Sequence, residues 1–335
     1  MSEGVVESQT VAVTGATGFL GHALCQRLQS MHVRVRAAAR TPAEGPWSEF
    51  IPLQLPHLVP AELFAGVGVV YHLAGKAHAV VDRPADAGAY DEVNRKGTLE
   101  VAQRARALGV RRFVFMSTVK ALGEPGESVV GEDQASTATD PYGRSKYEAE
   151  VALMSLHTAS FQVVILRPAL VYGPGAKGNF ESLMRLLRRG RRPPLPTIRN
   201  RRSLVGVNDL VAATLLAGNH PATGGRAYTV TDGRIYSTTD IIDTLADACG
   251  VTRRAPFTVP LPALRSAARL GDLAGRLTAR RVPFDSATLT RLLGNAEYEA
   301  LALAHATGFT PAESLHDLAD SMGRAPAARR AQASA

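Results

Sequence analysis

Short apolar runs alternate with amphipathic stretches through the first half of the chain. Thr10–Thr14, Val33–Ala38, Val67–Leu73, Arg112–Ser117 and Gln162–Leu166 have the length and β-branched content of buried strands. Between them, Phe19–Gln29, Tyr90–Leu108 and Pro141–Leu156 carry apolar residues at helical spacing. The alternation predicts an α/β fold, a doubly wound parallel sheet with helices on both faces. After Arg167-Pro168 the pattern changes. Pro174, Pro193, Pro194 and Pro196 interrupt the chain, and short helices dominate from Thr238 onward. The reading is a first unit over residues 9–168 and a smaller C-terminal substrate-binding lobe over 169–322, with a segment near 203–216 returning to the sheet. Residues 1–8 and 323–335 lack apolar periodicity and read as flexible tails.

Composition narrows the class. With 335 residues, 45% of them hydrophobic and 20% charged, the chain is an ordinary globular sequence longer than one core usually supports. Its two cysteines, Cys25 and Cys249, stand in no motif, so neither a disulfide framework nor a metal site is expected. No charged-then-apolar leader and no bilayer-length apolar run is visible, which predicts a soluble, cytoplasmic protein without a membrane partner. The net charge of +8 raises the question of nucleic acid, because arginines crowd the stretch from Arg185 to Arg202. A basic stretch can track a phosphodiester backbone or hold one diphosphate. No aromatic residues are interleaved to stack on bases, so no nucleic-acid partner is expected.

The first candidate chemistry follows the first strand. In Thr14-Gly15-Ala16-Thr17-Gly18-Phe19-Leu20-Gly21, Gly15 permits a tight turn, Gly18 admits a pyrophosphate to the backbone, and Gly21 lets helix and strand pack closely. With a strand before it and a helix after it, this is the dinucleotide-binding turn of a Rossmann fold. The second strand ends Ala37-Ala38-Ala39-Arg40, without the carboxylate that usually holds the ribose 2′-hydroxyl of NAD. Arg40 fits the 2′-phosphate of NADP or a solvated strand end, so NAD and NADP both stay open, with NADP slightly ahead.

A second constellation lies at Pro141-Tyr142-Gly143-Arg144-Ser145-Lys146. A spacing of four puts Tyr142 and Lys146 on one helical face. A phenol with pKa near 10 is a poor base at neutral pH, and an adjacent ammonium favours its phenolate. The strand before it ends in Ser117-Thr118, whose hydroxyls can hold the substrate oxygen that gains or loses the proton.

Together these residues resemble the extended short-chain dehydrogenases/reductases, the NAD-dependent epimerase/dehydratase family that works on nucleotide sugars. The resemblance covers nearly the whole chain and includes Thr14–Gly21, His72-Leu73-Ala74-Gly75, Asn94 to Thr98, Ser117-Thr118, Tyr142 with Lys146, Arg167-Pro168, Val171 to Pro174 and Arg202 to Asp209. It implies Tyr142 as acid/base, Lys146 as its partner and ribose ligand, and Thr118 as the catalytic hydroxyl with Ser117 alongside. It implies a cofactor site of Gly15, Thr17, Gly18, Phe19, Leu20, Gly21, Arg40, His72, Leu73, Ala74, Asn94, Lys146 and Arg167. For His72, helix–sheet packing stands level with direct contact. Lys120, Asn179 and Arg202 are the implied substrate residues, the last two for the nucleotide diphosphate. A homodimer through the helices near Tyr90–Leu108 and Pro141–Leu156 is implied in the same way.

The resemblance also bears on the reaction. Its 4,6-dehydratases follow the catalytic Thr with an Asp-Glu pair, where this chain has Val119-Lys120, and the 3,5-epimerising type places a Cys that is missing here. Two readings remain. One reduces the C4 ketone of a UDP-4-keto-6-deoxy-N-acetylhexosamine for surface polysaccharide biosynthesis, and is narrowly preferred. The other is a UDP-sugar 4-epimerase with tightly held NAD. A cofactor-sensing protein without chemistry is a third possibility from another class.

Overall fold

A computed structural model describes residues 10–76, 87–124, 126–176, 178–251, 258–278, 282 and 284–320; the side chains of Asn179 and Arg276, and the tails expected at 1–8 and 323–335, lie outside the described residues. The first half runs β1 (Thr10–Thr14), α1 (Phe19–Ser30), β2 (Val35–Ala39), β3 (Glu49–Pro52), β4 (Val67–His72), α2 (Ala87–Tyr90), a π-helical segment (Asp91–Gly97), α3 (Thr98–Ala107), β5 (Arg112–Met116), α4 (Pro141–Met154) and β6 (Gln162–Pro168). The second half continues with β7 (Leu170–Tyr172), α5 (Asn179–Arg188), β8 (Arg202–Gly206), α6 (Val207–Asn219), β9 (Arg226–Val230), β10 (Ile235–Tyr236), α7 (Thr238–Ala248), α8 (Leu261–Thr278), α9 (Ser286–Leu293) and α10 (Ala302–Thr307).

Seven strands form one sheet in the order β3-β2-β1-β4-β5-β6-β9, and every neighbouring pair is parallel. Parallel strands covered on both faces must be apolar throughout, which is why their sequences read as unbroken runs. Val11, Val13, Val69, Tyr71, Val114 and Leu166 face α1 and α6 on one side. Val70, Phe113, Phe115, Val163 and Ile165 face α3 and α4 on the other. Each large side chain fully buried in these layers contributes roughly 1.5–3 kcal/mol. The α6 layer lies close because Gly218 lacks a Cβ, which would stand 2.2 Å from the Tyr71 hydroxyl.

The expected return of residues 203–216 to the sheet is divided in the structure. β8 joins a separate three-stranded sheet, β10-β8-β7, while α6 lies on the main sheet. The strand that adds to the main sheet is β9, paired with β6 from Arg226–Val164 to Val230–Pro168. Arg226-Ala227-Tyr228-Thr229-Val230 is an edge strand with only part of its length buried, so it lacks the continuous apolar run of the central strands.

Candidate active site

Because all the strands of the main sheet are parallel, their carboxyl ends share one edge. The strand order reverses beside β1, with β2 on one side and β4 on the other, which opens a crevice at that edge. Gly15 adopts φ +71° there, and a Cβ on it would lie 2.7 Å from the Ala74 amide nitrogen. A Cβ on Gly21 would lie 2.2 Å from the Gly15 carbonyl oxygen. Only glycine allows the two loops and α1 to approach this closely. Thr17 and Gly18 are exposed, while Phe19 and Leu20 are half-buried. Gly18 precedes α1 without a side-chain cap, so the first-turn amides and the positive end of the helix are presented to the crevice. These features fit the diphosphate of a dinucleotide. Arg40 follows β2 at the same edge, exposed.

Facing Gly15, Leu73 and Ala74 form the half-buried loop after β4. His72, predicted to touch the cofactor, is instead wholly buried. Its Nδ1 pairs with Thr14 Oγ1 at 2.8 Å and its Nε2 with Thr98 Oγ1 at 3.0 Å. Thr14 Oγ1 in turn accepts from the Ala74 amide at 3.2 Å. The packing alternative therefore holds, since a residue with both nitrogens engaged inside the sheet has no face left for a ligand. Its effect on the crevice passes through Thr14. Burial, with the Lys146 charge nearby, lowers the imidazole pKa from 6.5 to about 3. On acidification the unfolded chain takes up this proton first. The contribution to stability is thus complete above about 6.5 and is lost as pH falls towards about 3. His72→Asn is expected to flatten the acid dependence of unfolding over that window, read by urea titration at successive pH values. An unchanged slope would refute the burial of a neutral imidazole.

Asn94 is also wholly buried, and it lies in the π-helical segment, a distortion common at functional sites. Its Oδ1 accepts from the Lys76 amide at 2.8 Å. Its Nδ2 donates to the Lys76 carbonyl and to Ser145 Oγ, each at 3.1 Å. Ser145 Oγ donates to the Tyr142 carbonyl at 2.8 Å. Asn94 thus ties the loop after β4 to the helix that carries the Tyr–Lys pair.

That helix, α4, begins with Asp140 accepting from the Gly143 amide at 2.9 Å and Pro141 in the first turn, a strong start signal. A Cβ on Gly143 would lie 2.4 Å from the Lys120 carbonyl oxygen. The first turn of α4 therefore packs backbone to backbone against the short turn Val119–Ala121, bringing Tyr142 and Thr118 to one end of the sheet. Thr118 is half-buried, and its Oγ1 accepts from the Lys120 amide at 3.3 Å. The Tyr142 ring meets Tyr90 edge-on with centroids 5.8 Å apart. Lys146 Nζ donates to the Met116 carbonyl at 2.7 Å and lies 4.3 Å from the Phe115 ring centroid. Burial pushes its ammonium down from 10.5 to about 7, against the opposing pull of Glu150. Lys120 is half-buried on the same turn.

Two other predicted residues do not reach the crevice. Ser117 Oγ donates to Glu150 Oε1 beneath the surface. Arg167, predicted to bind cofactor, is buried and donates through Nε to both Glu150 oxygens at 3.1 and 3.0 Å, and through Nη1 to the Glu132 carbonyl at 3.0 Å. A buried guanidinium needs a carboxylate partner, and Glu150 occupies it. Glu150 was missed from sequence although it stands four residues after Lys146, on the same helical face.

The arginine stretch from Arg185 to Arg202 is dispersed. Arg185 pairs with Glu181, Arg192 with Asp243 and Arg201 with Glu297. Arg202 donates to the Arg291 carbonyl at 2.7 Å and the Gly294 carbonyl at 3.4 Å. Asn179 opens α5, and its side chain lies outside the described residues.

Against this geometry stand three comparisons. The family model described as "NAD dependent epimerase/dehydratase family" matches residues 11–231. A UDP-glucose 4-epimerase of Vibrio cholerae is 36% identical over 258 residues, 72% of this chain and 76% of that protein. A 2-alkyl-3-oxoalkanoate reductase of Stenotrophomonas maltophilia is 29% identical over 291 residues, 80% and 82% of the two chains. Among solved structures, a UDP-glucose 4-epimerase from Thermotoga maritima with UDP-glucose superposes with a TM-score of 0.74 at 20% identity, over 94% of this chain and 98% of that one. At that identity the superposition shows the shared fold.

Proposed function

Because the chain belongs to the NAD-dependent epimerase/dehydratase family, we propose that it works at C4 of a UDP-linked sugar, reducing the ketone of a UDP-4-keto-6-deoxy-N-acetylhexosamine. The observation that carries this reading is the meeting of Tyr142, Lys146 and Thr118 at the sheet edge that also holds the glycine turn. A nicotinamide dinucleotide held at the Gly15–Gly21 turn would supply the hydride. The chain's own residues manage the oxygen: Thr118 holds it by a hydrogen bond, and Tyr142 delivers the proton that makes it a hydroxyl. Below its depressed pKa of about 7, Lys146 holds a positive charge beneath the site and favours the phenolate left behind. Val119 and Lys120 follow Thr118, so no carboxylate pair stands there to drive elimination.

Net reduction consumes a diffusible reductant, and Arg40 at the end of β2 supports NADPH in that role. Arg40→Asp is expected to raise KM for NADPH by about tenfold to a hundredfold, the loss of a charge-assisted hydrogen bond, with NADH little affected. An unchanged preference between the two would remove Arg40 from the site.

A second reading is 4-epimerisation, favoured by the name of the Vibrio cholerae relative. Incubating the purified protein with NADPH and the UDP-4-keto sugar separates the two. The reductase oxidises NADPH in step with substrate. Stoichiometric bound NAD and interconversion of UDP-sugars without net oxidation would overturn reduction. Asn179 and Arg202 belong to the same proposal as diphosphate ligands. So does a homodimer through α3 and α4, where Leu108 and Val151 remain exposed.

A further inference from the structure

Helix α8 turns an apolar face outward. Its inner face is buried: Leu264 and Ala268 pack with Leu289 of α9 against Leu195, Val259 and Phe284. Gly271 lies on this side too, where a Cβ would stand 2.0 Å from the Phe284 carbonyl oxygen. At 100° per residue, Leu270, Leu273 and Leu277 fall on the opposite side of the helix. They are 67%, 52% and 77% exposed. Exposed Ala274 stands beside Leu270 and Leu277, one turn from each. An amphipathic helix packed on a protein core normally turns its polar face to solvent, whereas here a leucine stripe lies on the exposed side. A contiguous exposed patch of this kind marks an interaction surface.

We infer that α8 docks the enzyme, lying in plane, on an anionic lipid surface. Charge selects this occupant. Residues 253–281 carry seven arginines against one acid, Asp272, and Arg265 and Arg269 are exposed along one edge of the leucine stripe. Leucines on one face and arginines beside them are the features of an interfacial helix, and anionic lipid headgroups attract each arginine. The C-terminal residues 321–335 contain no Leu, Ile, Val or aromatic residue and add three more arginines. Docking of this kind is peripheral, since no helix among the described residues is long and apolar enough to cross a membrane.

Flotation of the full-length protein with vesicles tests this. Vesicles of phosphatidylglycerol and phosphatidylethanolamine are expected to carry the protein up, and pure phosphatidylcholine vesicles are not. L270S/L273S/L277S is expected to reduce the floated fraction about tenfold, and R265A/R269A to weaken it and its salt dependence. All five positions are exposed and outside the active site, so thermal midpoint and turnover of a soluble substrate should match wild type in both variants. No flotation on anionic vesicles, or flotation that survives the triple substitution, would overturn the proposal. Equal flotation on phosphatidylcholine would overturn the choice of an anionic surface. A wild-type oligomer that the triple variant converts to a smaller species in sedimentation would make α8 a contact between copies instead.

Discussion

Tyr142→Phe is expected to slow the reduction step by about two to four orders of magnitude, the range for loss of a positioned general acid, with cofactor affinity and stability near wild type. The ring packs edge-on against Tyr90, and phenylalanine keeps that contact while removing only the hydroxyl. The site proposed for the dinucleotide lies elsewhere on the same edge, at the Gly15–Gly21 turn and the start of α1. The loss should appear in kcat and in kcat/KM alike, because the proton moves only as the carbonyl oxygen becomes a hydroxyl. Single-turnover measurement with saturating reductant isolates this step from product release. Activity within about tenfold of wild type would mean that Tyr142 is not the proton donor. The site would then have to draw its proton through Thr118.

How much of this was readable beforehand follows from what each residue needs. The five central strands were legible because a parallel sheet buried on both faces demands unbroken apolar runs, and they appear within two residues of their expected ends. β3 and β9 were not, since short edge strands such as Glu49-Phe50-Ile51-Pro52 carry no such run. The glycine turn and the Tyr142–Lys146 spacing were legible because backbone sterics and helix geometry act locally. Ser117, His72 and Arg167 were located at the sheet edge from sequence, but their partners come from positions distant in the chain. Sequence spacing does not say that Glu150 reaches over to β6, or that Thr98 reaches down to β4. A polar residue at the end of a strand therefore reads the same whether it faces the crevice or closes a buried network. Here Thr118, Tyr142 and Lys146 are left for the proposed chemistry, His72 is taken by Thr14 and Thr98, and Ser117 and Arg167 close a buried network on Glu150.

That network carries the largest stability effect expected. Glu150→Ala should destabilise the protein by about 3–5 kcal/mol, the cost of leaving one partner of a buried ion pair uncompensated. Arg167 and Glu150 are both nearly inaccessible, at 10% and 3% of their side-chain surface, so water cannot replace the lost carboxylate. Ser117 would lose its acceptor as well. Replacing both partners with apolar residues, Glu150→Leu with Arg167→Met, should recover much of the loss, because no buried charge then remains. Urea unfolding of the single and double variants measures this, and a double variant no better than Glu150→Ala would show that the pair was not the source. Glu150→Gln separates stability from chemistry. Glu150 opposes the burial that depresses Lys146, so its neutral replacement lowers the lysine further below about 7. The catalytic charge on Lys146 is present below its pKa and lost as pH rises through it. The alkaline limb of the rate profile should therefore move to lower pH in Glu150→Gln, an effect that a purely structural role for Glu150 would not produce.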